Sequence, residues 1–262
     1  MCAIAAERGL LYATHVRNRD THYDLGFAEA IATARQSGSK LQISHIQPKF
    51  GAPNYAMHHT LEMIELSRRH DVDVSFDVIP HDWNHTLIAA ILPKWAQAGG
   101  IDEVMKRLAD YETREKIKAN PQPMMLIVKA KKWEDIILLN ATVNKSIVGA
   151  SFAEIGRMRN CDPYDAVLDI LLEEGENMMA CMWSSNSFRE SDVELCLEQP
   201  ECAVISDTVA IANEGILKDH ISSLSGYGWA ARFLQYYVRD KQLLNLSEAL
   251  KKITSTLPNA WV

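Results

Sequence analysis

Three residues of this 262-residue chain have the types and the setting to do chemistry together: His15 in "YATHVRN", His45 in "QISHIQ" and Asp207 in "VISDT". Two neutral imidazoles supply nitrogen donors. A carboxylate supplies an oxygen donor or a base. That set suits a borderline-soft divalent ion such as zinc, with a coordination position left open for water. Any one of them alone reads as an ordinary hydrogen-bonded residue. What joins them is position, because each closes a short apolar run that reads as a strand. At the C-terminal rim of a parallel α/β sheet, such residues project into a common space.

The segments that must position these residues alternate strand and helix. "LLYATHV" (10–16) reads as a strand buried on both faces, since it carries no alternation before its first charge. "YDLGFAEAIATARQSG" (23–38) keeps helical spacing at Leu25, Ala28, Ile31, Ala32 and Ala34, and Gly38 ends it. "KLQISHI" (40–46), "MHHTLEMIELSRRHDV" (57–72) and "VDVSFDVIP" (72–80) repeat the pattern. Right-handed crossovers then place three parallel strands side by side. The rhythm breaks over about 81–150, which is read as a mostly helical excursion with breaks at Pro93 and Gly99-Gly100 and β-like runs at 123–130 and 135–143, folded as a cap over the cleft. It returns at Ser151, which with Glu154 spells a capping box, and at Asp162-Pro163, an N-cap followed by proline at the first helical position. A strand at 178–184, a helix at 190–200, the strand of "CAVISDT" (202–208) and two final helices follow.

Composition narrows the field. The net charge is −7 and the basic residues are scattered, which argues against nucleic acid as a partner. No apolar run approaches the roughly 20 residues of a membrane helix, so no membrane partner is expected. Five cysteines without a C-x-x-C pair fit reduced thiols and a cytoplasmic setting.

"YATHVRN", "QISHIQ", "SFDVIP", "ILPKWAQAGG", "VISDT", "YGWAARFLQYYVRD" and "LSEALKKITSTLP", in that order, resemble the N-acyl-D-amino-acid deacylase (D-aminoacylase) branch of the amidohydrolase superfamily. The resemblance implies an α/β fold: a partial TIM-like (β/α) barrel of the metal-dependent amidohydrolase type over residues 1–262, lacking the early strands and the β-sandwich. It implies zinc, one or two ions in the complete site, bound by His15 and His45. Asp207 becomes the general base and a ligand of a second metal. The implied reaction is hydrolysis of a non-peptide amide bond in a small-molecule N-acyl amino acid or related amide. The family's first-strand His-x-His pair does not occur in this sequence. The chain therefore reads as the C-terminal half of a barrel, inactive by itself, with the missing N-terminal half or a second copy as its protein partner.

Three further residues are expected at the substrate. Arg17, just behind His15, is placed to orient an acidic group. Gln47 stands where the best-known relatives hold the substrate carboxylate with a lysine. His81 follows the third strand, as does Asp77 at its end. His220 and Arg232, after the last strand, are expected to line the cleft at most. Two other readings stay open: a cyclic-amide hydrolase of the dihydroorotase or hydantoinase kind, and a non-catalytic half-barrel that acts only with a partner chain. The Leu-Pro-x-Trp-Ala and Tyr-Gly-Trp-Ala segments favour the deacylase branch.

Overall fold

The computed structural model describes residues 1–122, 125–208, 214–215 and 223–256. The chain divides into two compact units, one of residues 1–82, 188–207 and 227–262, the other of 83–187 and 208–226.

The first unit opens with helix α1 (Cys2–Glu7), which ends before Gly9 at a φ of 66° and leads into β1 (Leu11–Thr14). Helix α2 (Tyr23–Ser37) follows, stopped by Gly38 in the left-handed conformation, which a residue without Cβ adopts at no steric cost. The buried stripe of α2 is Tyr23, Gly26, Phe27, Ala30 and Ala34, while Leu25 is exposed. The apolar count over this helix places the face a residue away from where it lies, because the face is set by Tyr23 and Phe27 with the small Gly26, Ala30 and Ala34 between and after them. Gly26 is the reason the loop before α2 can pack down: a Cβ there would stand 2.6 Å from the carbonyl oxygen of Asn18. Next come β2 (Lys40–Ile43), α3 (Ala56–Arg69) and β3 (Val74–Val78).

The chain then enters the second unit with β4 (Trp83–Leu87), a 3-10 turn, and the helices α4 (Lys94–Gln97), α5 (Ile101–Ala109), α6 (Tyr111–Ala119) and α7 (Leu126–Lys129). Strand β5 (Ile136–Asn140), helices α8 (Phe152–Arg159) and α9 (Pro163–Glu174), and strand β6 (Met182–Asn186) complete its described part before Thr208. Both caps expected here are present. Ser151 and Glu154 bond reciprocally, and Asp162 accepts from Tyr164 N with Pro163 opening α9. A separate antiparallel sheet forms in the order β4-β6-β5, and Phe152 stacks on Trp183 with centroids 5.9 Å apart in its core.

Several expectations shift here. The separate unit begins close to residue 81 but runs to Ser187, so the helices at 152–174 and the strand near 178–184 belong to it rather than to the resumed barrel rhythm. A short apolar run such as 178–183 looks the same in a parallel or an antiparallel sheet, so local pattern could not assign β6 (Met182–Asn186). The 81–91 stretch is strand and 3-10 turn, not α-helix, and 126–129 is helix, not strand.

Back in the first unit, α10 (Glu190–Leu197) leads to β7 (Cys202–Val204), followed by α11 (Trp229–Arg232), a π-helical run over Phe233–Asp240 and α12 (Leu246–Thr254). The Phe188 N–H donates to Asp82 O at 3.0 Å, so the chain returns to this unit beside the point where it left. The sheet is parallel throughout, in the order β1-β2-β3-β7. Leu41, Ile43, Phe76, Val78 and Val204 are buried in it, packed with Phe27 and Met57. β1 is only partly covered, against the expectation of burial on both faces, because it is the edge strand of the described sheet. No helix of the described residues is long and apolar enough to cross a membrane.

Candidate metal and hydrolytic site

His15 follows β1 by one residue, His45 follows β2 by two, and Asp207 follows β7 by three. All three strands run the same way, so the three side chains emerge at the same C-terminal end of one sheet. His15 Nδ1 stands 2.8 Å from His45 Nε2, and that same nitrogen is 3.8 Å from Asp207 Oδ2. The two rings meet edge to face, with centroids 4.4 Å apart.

The backbone turns sharply at two of the three. His45 has a φ of 40° and Asp207 a φ of 49°, the left-handed region that costs a non-glycine residue free energy. The surroundings hold His45 there. Its N–H donates to Asp77 Oδ1 at 2.5 Å, and its carbonyl accepts from Arg19 Nη1. Asp77 Oδ2 in turn accepts from Gln42 Nε2 at 2.6 Å, and Gln42 Oε1 accepts from Ser75 Oγ at 2.6 Å. A buried polar relay thus runs from Ser75 through the sheet to the histidine.

The electrostatics keep both rings neutral. Burial, then the charges of Arg19 and Lys49, push His15 down to about 4. Burial, then Arg19 and His15, push His45 lower still. Burial raises the Asp77 carboxyl to about 6 against the pull of its two hydrogen bonds. Lys49 falls to about 7 through burial and the neighbouring Arg19.

Neutral imidazoles offer lone pairs, and nitrogens sharing a tetrahedral zinc at about 2.0–2.1 Å each would lie roughly 3.3 Å apart. The 2.8 Å contact is a hydrogen bond between the two rings, shorter than that spacing, and the other nitrogen of His45, Nδ1, is buried without a partner. In donor type the residues fit two imidazole positions of a metal site with a carboxylate beside it. Among the described residues, however, no group of three His, Cys, Asp or Glu side chains is arranged to hold an ion between them.

Comparisons with known proteins bear on the fold. The chain is 24% identical over 255 residues to the N-acyl-D-glutamate deacylase of Alcaligenes xylosoxydans xylosoxydans, covering 97% of this chain and 42% of that one. The crystal structure of N-acyl-D-glutamate deacylase from Bordetella bronchiseptica, complexed with zinc and a phosphonate mimic of the tetrahedral intermediate, superposes with a TM-score of 0.71 at 20% identity, over 99% of this chain and 44% of that one. A D-aminoacylase structure described as defining a novel subset of amidohydrolases gives 0.67 at 21% identity, again over 44% of its chain. The fold is that of the D-aminoacylases' C-terminal part. The chain spans less than half the length of the relatives it matches, and no family model matches it.

The three expected substrate residues are each engaged by other groups of the chain. Arg17 turns outward, its side chain 82% exposed, and pairs with Glu29 at 2.7 Å on α2. Gln47 is fully buried and its amide bonds the backbone of Ile79, donating to the carbonyl at 2.7 Å. Both functional ends of Gln47 are therefore spent on structure. His81 Nδ1 lies 3.2 Å from Asp82 Oδ1, and Arg232 reaches the same carboxylate at 3.7 Å. His220 lies outside the described residues. Asp77 clamps His45 by accepting its main-chain N–H. The residues that sequence reading passed over are Arg19, Lys49 and Gln42. Their signal was faint: an arginine two positions beyond Arg17, a lysine four beyond His45, and a glutamine inside a strand that otherwise reads as apolar.

Proposed function

We propose that this chain carries the histidine and aspartate part of a metal-dependent amidohydrolase centre acting on the amide bond of N-acyl-D-amino acids. The observation that carries the reading is the approach of His15 Nδ1, His45 Nε2 and Asp207 Oδ2 at one sheet end. The imidazoles of His15 and His45 would hold zinc, the metal in the matching Bordetella deacylase. When bound, such an ion supplies Lewis acidity toward water and the amide carbonyl.

The protein's own groups do the rest. Asp207 takes the proton of the attacking water and delivers it to the departing amine nitrogen. Arg19 and Asp77 fix the backbone of His45, so its ring does not have to reorganise. With Asp207 acting as the base, the two imidazoles alone fall short of the three protein ligands of a catalytic zinc site, and the remaining ligands come from polypeptide outside this chain, either the family's N-terminal half or a partner. By itself the chain turns over N-acetyl-D-amino acids negligibly. The five free cysteines, three of them buried, support a reducing, cytoplasmic setting.

The test joins the N-terminal half of a D-aminoacylase ahead of this chain and measures zinc per chain and N-acetyl-D-amino-acid hydrolysis. His15→Ala and His45→Ala should each remove zinc and activity, and His58→Ala neither. Retained zinc in both of the first two variants would overturn the assignment of ligands. Zinc binding without hydrolysis of any N-acyl amino acid would overturn the activity.

A further inference from the structure

Arg19 is 3% exposed, yet no carboxylate among the described residues lies within ion-pair distance of its guanidinium. Of its five N–H donors only those of Nη1 are used, on the carbonyls of His45 and Gln47, the latter at 3.1 Å. Nε is buried without an acceptor. Nη1 points back into the protein, which leaves the Nε–Nη2 edge, the fork that receives a carboxylate in two parallel hydrogen bonds. The face of Phe188 lies 5.5 Å from the guanidinium carbon and fixes the plane of the fork.

A second cation accompanies it. The Lys49 N–H donates to Arg19 O at 2.7 Å, so the two side chains leave adjoining points of the backbone. The Lys49 ammonium has no hydrogen bond or ion pair within the described residues. Asp207 and Asp77 act on Arg19, and Asp20 and Asp207 on Lys49, only from beyond bonding distance, so the buried Nε–H still lacks an acceptor, which is expensive unless a ligand supplies one.

We propose that Arg19 and Lys49 form an anion subsite beside the His15–His45–Asp207 centre, which takes a small-molecule carboxylate with the oxygens bidentate on the Arg19 Nε–Nη2 edge and the Lys49 ammonium alongside. The subsite deepens the amidohydrolase reading and rests on it for the identity of the ligand as the carboxylate of an N-acyl amino acid. It makes Arg19 and Lys49, rather than Arg17 or Gln47, the residues that select for an acidic substrate.

The experiment uses the full chain, isotopically labelled, without metal. Sodium acetate is titrated while the Arg19 Nε–H resonance is followed, with acetamide and sodium chloride as controls. Acetate should give a saturable shift and the controls none. Lys49→Met and Lys49→Gln, each checked for an unchanged circular dichroism spectrum, should weaken acetate binding by about tenfold or more. A non-saturable response, an equal response to acetamide or chloride, or unchanged affinity in both lysine variants would overturn the proposal. Repeating the titration on the longer polypeptide separates the sources of carboxylate. Acetate binding retained there supports a free ligand, whereas its loss would assign the fork to a protein carboxylate and overturn the subsite. No step depends on turnover, so an enzyme that fails to hydrolyse amides while this chain still binds acetate would sink the deacylase reading alone.

Discussion

The main-chain N–H of His45 points at the carboxylate of Asp77, 2.5 Å away on the neighbouring strand, and this one bond reaches the left-handed residue that carries the inner imidazole. The Asp77 side chain is almost wholly buried and serves two donors, the His45 amide and the Gln42 side chain. Removing the carboxylate leaves both donors buried and unanswered.

Asp77→Ala should accordingly cost about 3 kcal/mol, since each orphaned buried donor costs roughly 1–3 kcal/mol. Asp77→Asn should cost less, about 1 kcal/mol, because its oxygen still accepts from His45 and the Gln42 amide can flip to accept from the new NH2. Urea unfolding of both variants measures the difference. A smaller loss in the alanine variant than in the asparagine variant would refute the clamp.

The pH dependence of the first unit follows from opposing groups. His15 and His45 are depressed in the fold, so the unfolded chain binds more protons below the ordinary histidine value of about 6.5, and stability falls as pH drops from there through about 4. Asp77 is raised to about 6, so its contribution runs the other way, rising as pH drops toward the ordinary aspartate range. With two histidines against one aspartate, the thermal midpoint should decline between pH 6.5 and 4. His15→Gln should flatten that decline, and a midpoint that climbs over this interval would contradict the assignment.

Gly26→Ala tests the loop that carries Arg19. The added methyl would meet the backbone oxygen of Asn18 at 2.6 Å, a contact that no side-chain rotation relieves. A loss of about 2 kcal/mol is expected from overpacking. Acetate binding by the folded variant should also weaken, since Asn18 and Arg19 move together.

In the second unit, Glu174 is buried and receives the backbone N–H groups of Thr142, Val143 and Asn144 at 2.8–3.0 Å. Burial pushes its carboxyl up, but the bonds from Asn144, Val143 and Thr142 outweigh that and hold it below the usual glutamate range. A depressed carboxylate stabilises above its unfolded pKa and loses that contribution as pH falls through the folded value. Glu174→Gln removes the charge and turns an NH2 toward those donors. The expected loss is about 2–3 kcal/mol at pH 7, shrinking in acid. A loss that does not change with pH would rule out the charge-assisted account.

The sequence was most readable where one residue decides a local event. Gly38, Ser151 with Glu154, and Asp162 with Pro163 each close or open a helix by a mechanism confined to four or five residues. His15, His45 and Asp207 were readable because strand ends are short-range signals, and a parallel sheet delivers them to one rim. What the pattern could not carry was partner choice between distant strands. Nothing in "MMACMWS" says that β6 pairs with β4 and β5 rather than extending the parallel sheet. Side-chain commitments were equally hidden. Gln47 and Arg17 have suitable chemistry, but a buried backbone carbonyl of Ile79 takes one and Glu29 takes the other.

The single hydrogen bond from Phe188 to Asp82 has an architectural consequence. A segment whose two ends enter and leave side by side closes its own loop before the host has to, so its length adds little to the host's closure entropy. Such a segment is exchangeable together with 208–226, which cluster with it: a short turn joining Asp82 to Phe188 should leave the parallel sheet in register. The 83–187 stretch can then diverge in sequence and size, or be swapped between relatives, while β1, β2, β3 and β7 keep their order.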